Sequence, residues 1–309
     1  MSTSAPPPPP HHPLDGSAAF EPRTNTKKNH LGGSRTDKRS EIARALTNHI
    51  RHSERPATPD WIMALGDSWA KGTGNGLARV APSIPVVNAG ISYTSACEWV
   101  SDETLPLLTE FMRKLTPPLV LLSLGGNDAL LYDANTTRVR DCLTVIIDAV
   151  QASSPRTDIA QYWYDVPCGC QYVQACATIH SLNDKIGGVW IPQSCDEGCV
   201  VDAMRRNQAE VVGVLSSRFR SRHPERDDVA GYFGLSLLGT TQRNGSSGAL
   251  GFSDTALWQA GTCIHPNELG FDALARAMLV ALCRRLLGRP RAQRAGGGAS
   301  PWPCRVTSS

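Results

Sequence analysis

The sequence predicts an α/β domain built on a parallel sheet with helices covering both faces. Two observations predict it. Five short apolar runs, most of them ending in Gly, Asn or Asp, are spaced along residues 57 to 288, and stretches of helical periodicity separate them. Composition agrees with one large core: 309 residues, 41% hydrophobic and 19% charged, which excludes collagen, coiled coil and wholesale disorder.

Taken in order, residues 1 to 33 contain the Pro7 to Pro10 run and its flanking Pro, Ser and Gly. Such a segment buries too little apolar surface to offset its ordering entropy, so it is expected to be a disordered arm, with weak partner binding as its one candidate role. Residues 34 to 56 hold Ile42, Ala45, Leu46 and Ile50 at helical spacing, a short amphipathic helix and linker. The expected strands are Trp61 to Leu65, Ile84 to Val87, Leu119 to Leu124, Ile159 to Val166 and Val229 to Leu238. Helical periodicity occupies about 95 to 115, 137 to 152 and 200 to 221, then recurs at Phe271, Leu274, Ala275, Met278, Leu282 and Leu286. Residues 289 to 309 read as a flexible basic tail.

The charge distribution excludes one class of partner. Residues 1 to 56 carry 9 Lys/Arg against 5 Asp/Glu, residues 284 to 309 carry 6 against none, and the stretch between them is acidic. A nucleic-acid binder would carry its basic stripe on the folded domain, so no nucleic-acid partner is expected. No apolar run is long enough to span a bilayer, and no basic segment followed by an apolar one opens the chain. The expectation is a cytoplasmic protein without a membrane span.

In a parallel sheet, chemistry collects in the loops at the carboxyl ends of the strands. Four clusters fall there: Gly66-Asp67-Ser68-Trp69, Asn88-Ala89-Gly90, Gly125-Gly126-Asn127-Asp128 and Cys263-Ile264-His265-Pro266-Asn267. A serine at a strand-to-helix turn presents its hydroxyl, and a distant histidine can take its proton, which makes Ser68 the candidate nucleophile and His265 the candidate base. The Ser68 N–H, the Gly90 N–H and the Asn127 amide are the candidate oxyanion donors. Each residue also has a plainer reading: Ser68 and Gly90 as turn residues, Asn127 with Asp128 as a helix cap, His265 as a surface histidine before a capped helix. Asp67 reads as structural, holding the turn. Trp69, Tyr93 and Trp99 are candidates for an acyl wall or a sugar-stacking face, with core packing as the alternative.

Leu65-Gly66-Asp67-Ser68, Gly90, Gly125-Gly126-Asn127-Asp128 and His265-Pro266-Asn267 resemble, in order, the four blocks of the SGNH, or GDSL, hydrolase superfamily, and the resemblance spans residues 57 to 288. It implies a flavodoxin-like three-layer sandwich with a central five-stranded parallel sheet. It also implies serine esterase chemistry with catalytic Ser68 and His265, oxyanion donors Ser68, Gly90 and Asn127, and no cofactor or metal. The substrate would be a small-molecule or carbohydrate ester of the short-acyl or O-acetyl class. An acyltransferase on the same scaffold and a non-catalytic binding module are the alternatives. Where members of the family usually carry an Asp three residues before the His, this chain has Thr262. The group that orients His265 is therefore left open between a backbone carbonyl and Asp254 on a folded-back loop.

Five of the 10 cysteines, Cys168, Cys170, Cys176, Cys195 and Cys199, crowd an insertion at about 167 to 200. Disulfides, a zinc site and free thiols compete there, and disulfides would instead place the protein in a secreted, oxidising setting. Cys142 and Cys283, on apolar helical faces, are expected to be small core residues.

Overall fold

The computed structural model describes residues 36–131, 136–162, 210–218, 232–234 and 265–287. All belong to the larger of two compact units, Leu31–Ser309; the smaller, Met1–His30, lies outside the described residues, as do the tail and the cysteine-rich insertion. The elements are α1 (Thr36–His52), β1 (Ile62–Gly66), α2 (Ser68–Val80), β2 (Val86–Gly90), α3 (Thr104–Leu115), β3 (Leu119–Ser123), α4 (Gly126–Leu131), α5 (Thr136–Ser153), β4 (Asp158–Gln161), α6 (210–218), β5 (Tyr232–Gly234) and α7 (Glu268–Leu287).

Every residue of β1 and β3 is buried, which is why both read as unbroken apolar runs. The described strands pair in parallel in the order β2-β1-β3-β4-β5. Side chains alternate between two cores. Met63, Leu65, Val120, Leu122 and Ile159 face α1, α3, α5 and α6, through Ile42, Leu46, Leu108, Phe111, Leu143, Ile146 and Val211. Ile62, Leu119, Leu121 and Ala160 face α2 and α7, through Trp69, Leu77, Phe271, Leu274, Ala275 and Met278. Among the described residues no helix is long and apolar enough to cross a membrane.

Register brings the loops to one edge. Gly66 stands opposite Gly90 in β2 and opposite Ser123 in β3, so the chain leaves these three strands at the same level. The second strand lies later than its apolar run suggested: Asn88, Ala89 and Gly90 are its final residues rather than a loop after it.

Helix α2 carries three glycines, which lower its helix propensity. Packing explains two of them. A Cβ at Gly72 would lie 2.1 Å from the Phe271 ring, and one at Gly76 would lie 2.5 Å from the Phe271 carbonyl oxygen. The pair sits one turn apart on the face that meets α7, and the close approach outweighs the low helix propensity of glycine.

Cys142 and Cys283 are buried as expected of core residues, but both are disulfide-bonded rather than free. Cys142 of α5 is bonded to Cys97, 45 residues earlier, with the Cα atoms 5.1 Å apart. Cys283 is also disulfide-bonded. An apolar helical face marks burial but not the partner across it. The first bridge fastens the segment after β2 to α5, and that segment borders the site.

Candidate active site

Asp67 caps α2 and Ser68 is its first residue. The Asp67 carboxylate accepts the Trp69 N–H at 2.9 Å and the Ser123 hydroxyl at 3.2 Å, while the Asp67 N–H donates to the Ser123 carbonyl at 3.0 Å. Below the turn, the buried Tyr162 hydroxyl donates to the Trp69 carbonyl at 3.2 Å, and burial pushes its phenol far above the ordinary tyrosine range. Asp67 thus holds the turn, and Ser123 supports it from β3, a contribution hidden at the end of an apolar strand.

His265, immediately before α7, lies 197 residues from Ser68 in sequence and 2.7 Å from it in space, His265 Nε2 to Ser68 Oγ. Asn267 fixes the start of α7: its Oδ1 accepts the Gly270 N–H at 2.9 Å. Burial holds the imidazole below its ordinary pKa of 6.5, so the ring is neutral and able to accept a proton near neutral pH. Thr262 and Asp254, the alternatives for orienting it, lie outside the described residues.

Gly90 presses against the first turn of α2, where a Cβ would lie 2.1 Å from the Lys71 nitrogen. Its N–H donates to Asn88 Oδ1 at 3.1 Å, and the Asn88 amide donates to the Lys71 carbonyl and to Asn75 Oδ1, both at 2.8 Å. Asn88 therefore ties the end of β2 to α2 and covers one expected oxyanion donor. Its position two residues before the candidate Gly90 is the one sequence signal for this.

Asn127 and Asp128 open α4 but serve the loop after β2. The buried Asn127 amide donates to the Thr94 carbonyl at 2.9 Å. The fully buried Asp128 carboxylate accepts the Ala96 N–H at 2.6 Å and the Cys97 N–H at 3.4 Å, capping the 3-10 turn Ala96–Glu98 as well as meeting its own backbone N–H. Burial pushes its pKa up to about 6, and nearby Glu98 adds to this, against the backbone N–H bonds from Ala96, Cys97 and Asp128 itself that hold it down. Trp99 Nε1 donates to the Thr94 hydroxyl at 3.1 Å, and that hydroxyl donates to the Ile91 carbonyl at 2.9 Å.

A cleft of about 390 Å³ opens beside the Ser68–His265 pair, lined in part by Lys71, Asn75, Arg79, Ser92, Tyr93 and Glu268. Of the three candidate aromatics only Tyr93 faces it. Trp69 and Trp99 are fully buried, Trp69 edge-on to Phe271 with ring centroids 6.1 Å apart.

No family model matches the chain, and no curated protein matches it in sequence. Solved structures do. A GDSL-like lipase from Bacteroides thetaiotaomicron is similar at 12% identity, covering 80% of this chain and 99% of its own, with a TM-score of 0.46. A family two carbohydrate esterase from Clostridium thermocellum, solved with cellohexaose, is 15% identical over 74% of this chain and 64% of its own, with a TM-score of 0.44. The periplasmic domain of a lipopolysaccharide acetyltransferase from Salmonella Paratyphi A is 16% identical over 78% and 93%, with a TM-score of 0.41.

Proposed function

We propose that the chain is a serine hydrolase that cleaves carboxylic esters through an acyl-enzyme on Ser68, after the manner of the SGNH hydrolases. The observation that carries this reading is the 2.7 Å contact between Ser68 Oγ and the Nε2 atom of a half-buried histidine. As Oγ bonds to the acyl carbon, its proton passes to Nε2. Collapse of the tetrahedral intermediate breaks the bond to the alcohol oxygen, which takes that proton from His265. Water then repeats the sequence on the acyl-enzyme. A fluorophosphonate probe is the direct test, with the adduct expected on Ser68.

The developing oxyanion falls to the Ser68 N–H, a first-turn donor of α2 without an intrahelical acceptor, together with the Gly90 N–H and the Asn127 amide. Gly90 joins them only when Asn88 gives up its bond. Asn127→Ala is expected to lower kcat about 10²- to 10³-fold with little change in KM, because an oxyanion donor acts mainly in the transition state. A change confined to KM would reassign Asn127 to ground-state binding.

The pH profile tests His265. Only the neutral imidazole accepts the Ser68 proton, and burial lowers its pKa, so kcat/KM on a neutral ester should fall on the acid side with a midpoint below 6.5. Asp128 gains its proton in the same region, at about 6. Repeating the profile in Asp128→Asn separates the two groups, since the limb due to His265 persists there. A midpoint at or above 6.5 in both proteins would overturn this assignment.

A further inference from the structure

Two non-glycine residues among those described adopt left-handed backbone, Thr116 at φ 46° and Tyr93 at φ 66°. Thr116 closes α3, an ordinary use of that conformation. Tyr93 ends no helix. It lies three residues after Gly90, and its side chain is 60% exposed although the ring is large and apolar. Lys38 Nζ stands 5.7 Å from the ring centroid. Outlying backbone at a bulky residue persists where the surroundings hold it, and such positions cluster at ligand clamps. This one borders the cleft that contains Ser68 and His265.

The chemistry of the lining identifies the occupant. The alcohol oxygen of an ester must come within reach of His265 Nε2 to receive its proton, and His265 lines this cleft, so the alcohol portion lies there. Ser68, Lys71, Asn75 and Arg79 form one polar stripe along α2, to which Ser92 and Glu268 add, while Gly72, Tyr93 and Phe271 supply apolar surface, so the wall is mixed and presents polar and apolar groups side by side. Arg79 is already paired, at 3.3 Å with Glu268 and 2.7 Å with Asp272, so that end of the cleft asks for no charged ligand. An alkyl chain laid over Lys71 and Ser92 would take them from water and offer no hydrogen bond in exchange. A sugar ring offers hydroxyls that donate and accept, and a C–H face that lies flat on an aromatic ring.

We propose that Tyr93 is the platform for a pyranose ring, and that the substrates are O-acylated carbohydrates; this rests on the esterase reading of Ser68 and His265. The acyl group passes to Ser68, and the sugar leaves as its free alcohol with the proton from His265. The test compares the full chain with Tyr93→Ala and Tyr93→Phe on an O-acetylated methyl pyranoside, on ethyl acetate, which has no ring, and on vinyl laurate. Tyr93→Ala is expected to raise KM for the pyranoside about tenfold or more at nearly unchanged kcat, to leave kcat/KM on ethyl acetate within about threefold, and to be rescued by Tyr93→Phe. Equal losses on pyranoside and ethyl acetate would make Tyr93 structural and overturn the proposal. So would an unchanged pyranoside KM, turnover of ethyl acetate but not the pyranoside, or a KM effect confined to laurate. Failure of the esterase reading shows differently, as no turnover of any ester and no fluorophosphonate adduct on Ser68.

Discussion

Ser68→Ala is expected to abolish fluorophosphonate labelling and to lower ester turnover on the order of 10⁴-fold or more, because the new bond in the acyl-enzyme forms at its Oγ. The fold should survive. The substitution removes a single hydrogen bond, the 2.7 Å contact with His265, worth about 1 kcal/mol, and leaves the backbone of the turn under the control of Asp67 and Ser123. Intact-mass analysis after probe treatment, with circular dichroism on the same sample, separates chemistry from folding. A folded variant that still gains the probe's mass would place the nucleophile elsewhere.

Gly66→Ala should damage the molecule by another route. Gly66 has φ 137°, which an alanine rarely adopts, and a Cβ there would lie 2.0 Å from the Ser123 carbonyl oxygen and 2.7 Å from its carbon. Those are backbone atoms of the neighbouring strand, and that carbonyl accepts the Asp67 N–H. Relief requires β1 and β3 to separate where the turn carrying Ser68 begins. A loss of about 3 kcal/mol is expected, lowering Tm by about 6 to 12 °C and slowing fluorophosphonate labelling with it. A Tm within about 2 °C of the parent would show that the strands accommodate the methyl group.

The blocks that form the candidate site were legible because their signals are local. An apolar run ending in Gly-Asp-Ser already states strand, turn and presented hydroxyl, and the runs of β1 and β3 state burial on both faces. The stripe of Ile42, Leu46 and Ile50 likewise announced α1. Helix α2 was harder to read. Gly72 and Gly76 lower its propensity, and the reason for them, the approach of Phe271, comes from the other end of the chain.

The roles within those blocks came from packing. Sequence grouped Tyr93 with Trp69 and Trp99, yet two of these rings are in the core and one borders the cleft, since burial depends on what lies opposite. Its plainer reading of Asp128, as a helix cap beside Asn127, missed that the carboxylate reaches across to Ala96 and Cys97. It read Cys142 as a core residue and had no way to see Cys97 approaching from 45 residues away. By itself the sequence determined which residue types stand at the carboxyl ends of the strands. The tertiary structure decided which of them meet: the register that levels Gly66, Gly90 and Ser123, and the packing of α7 on α2 that brings His265 across 197 residues to Ser68, depend on side-chain fit between distant segments, which no local pattern encodes.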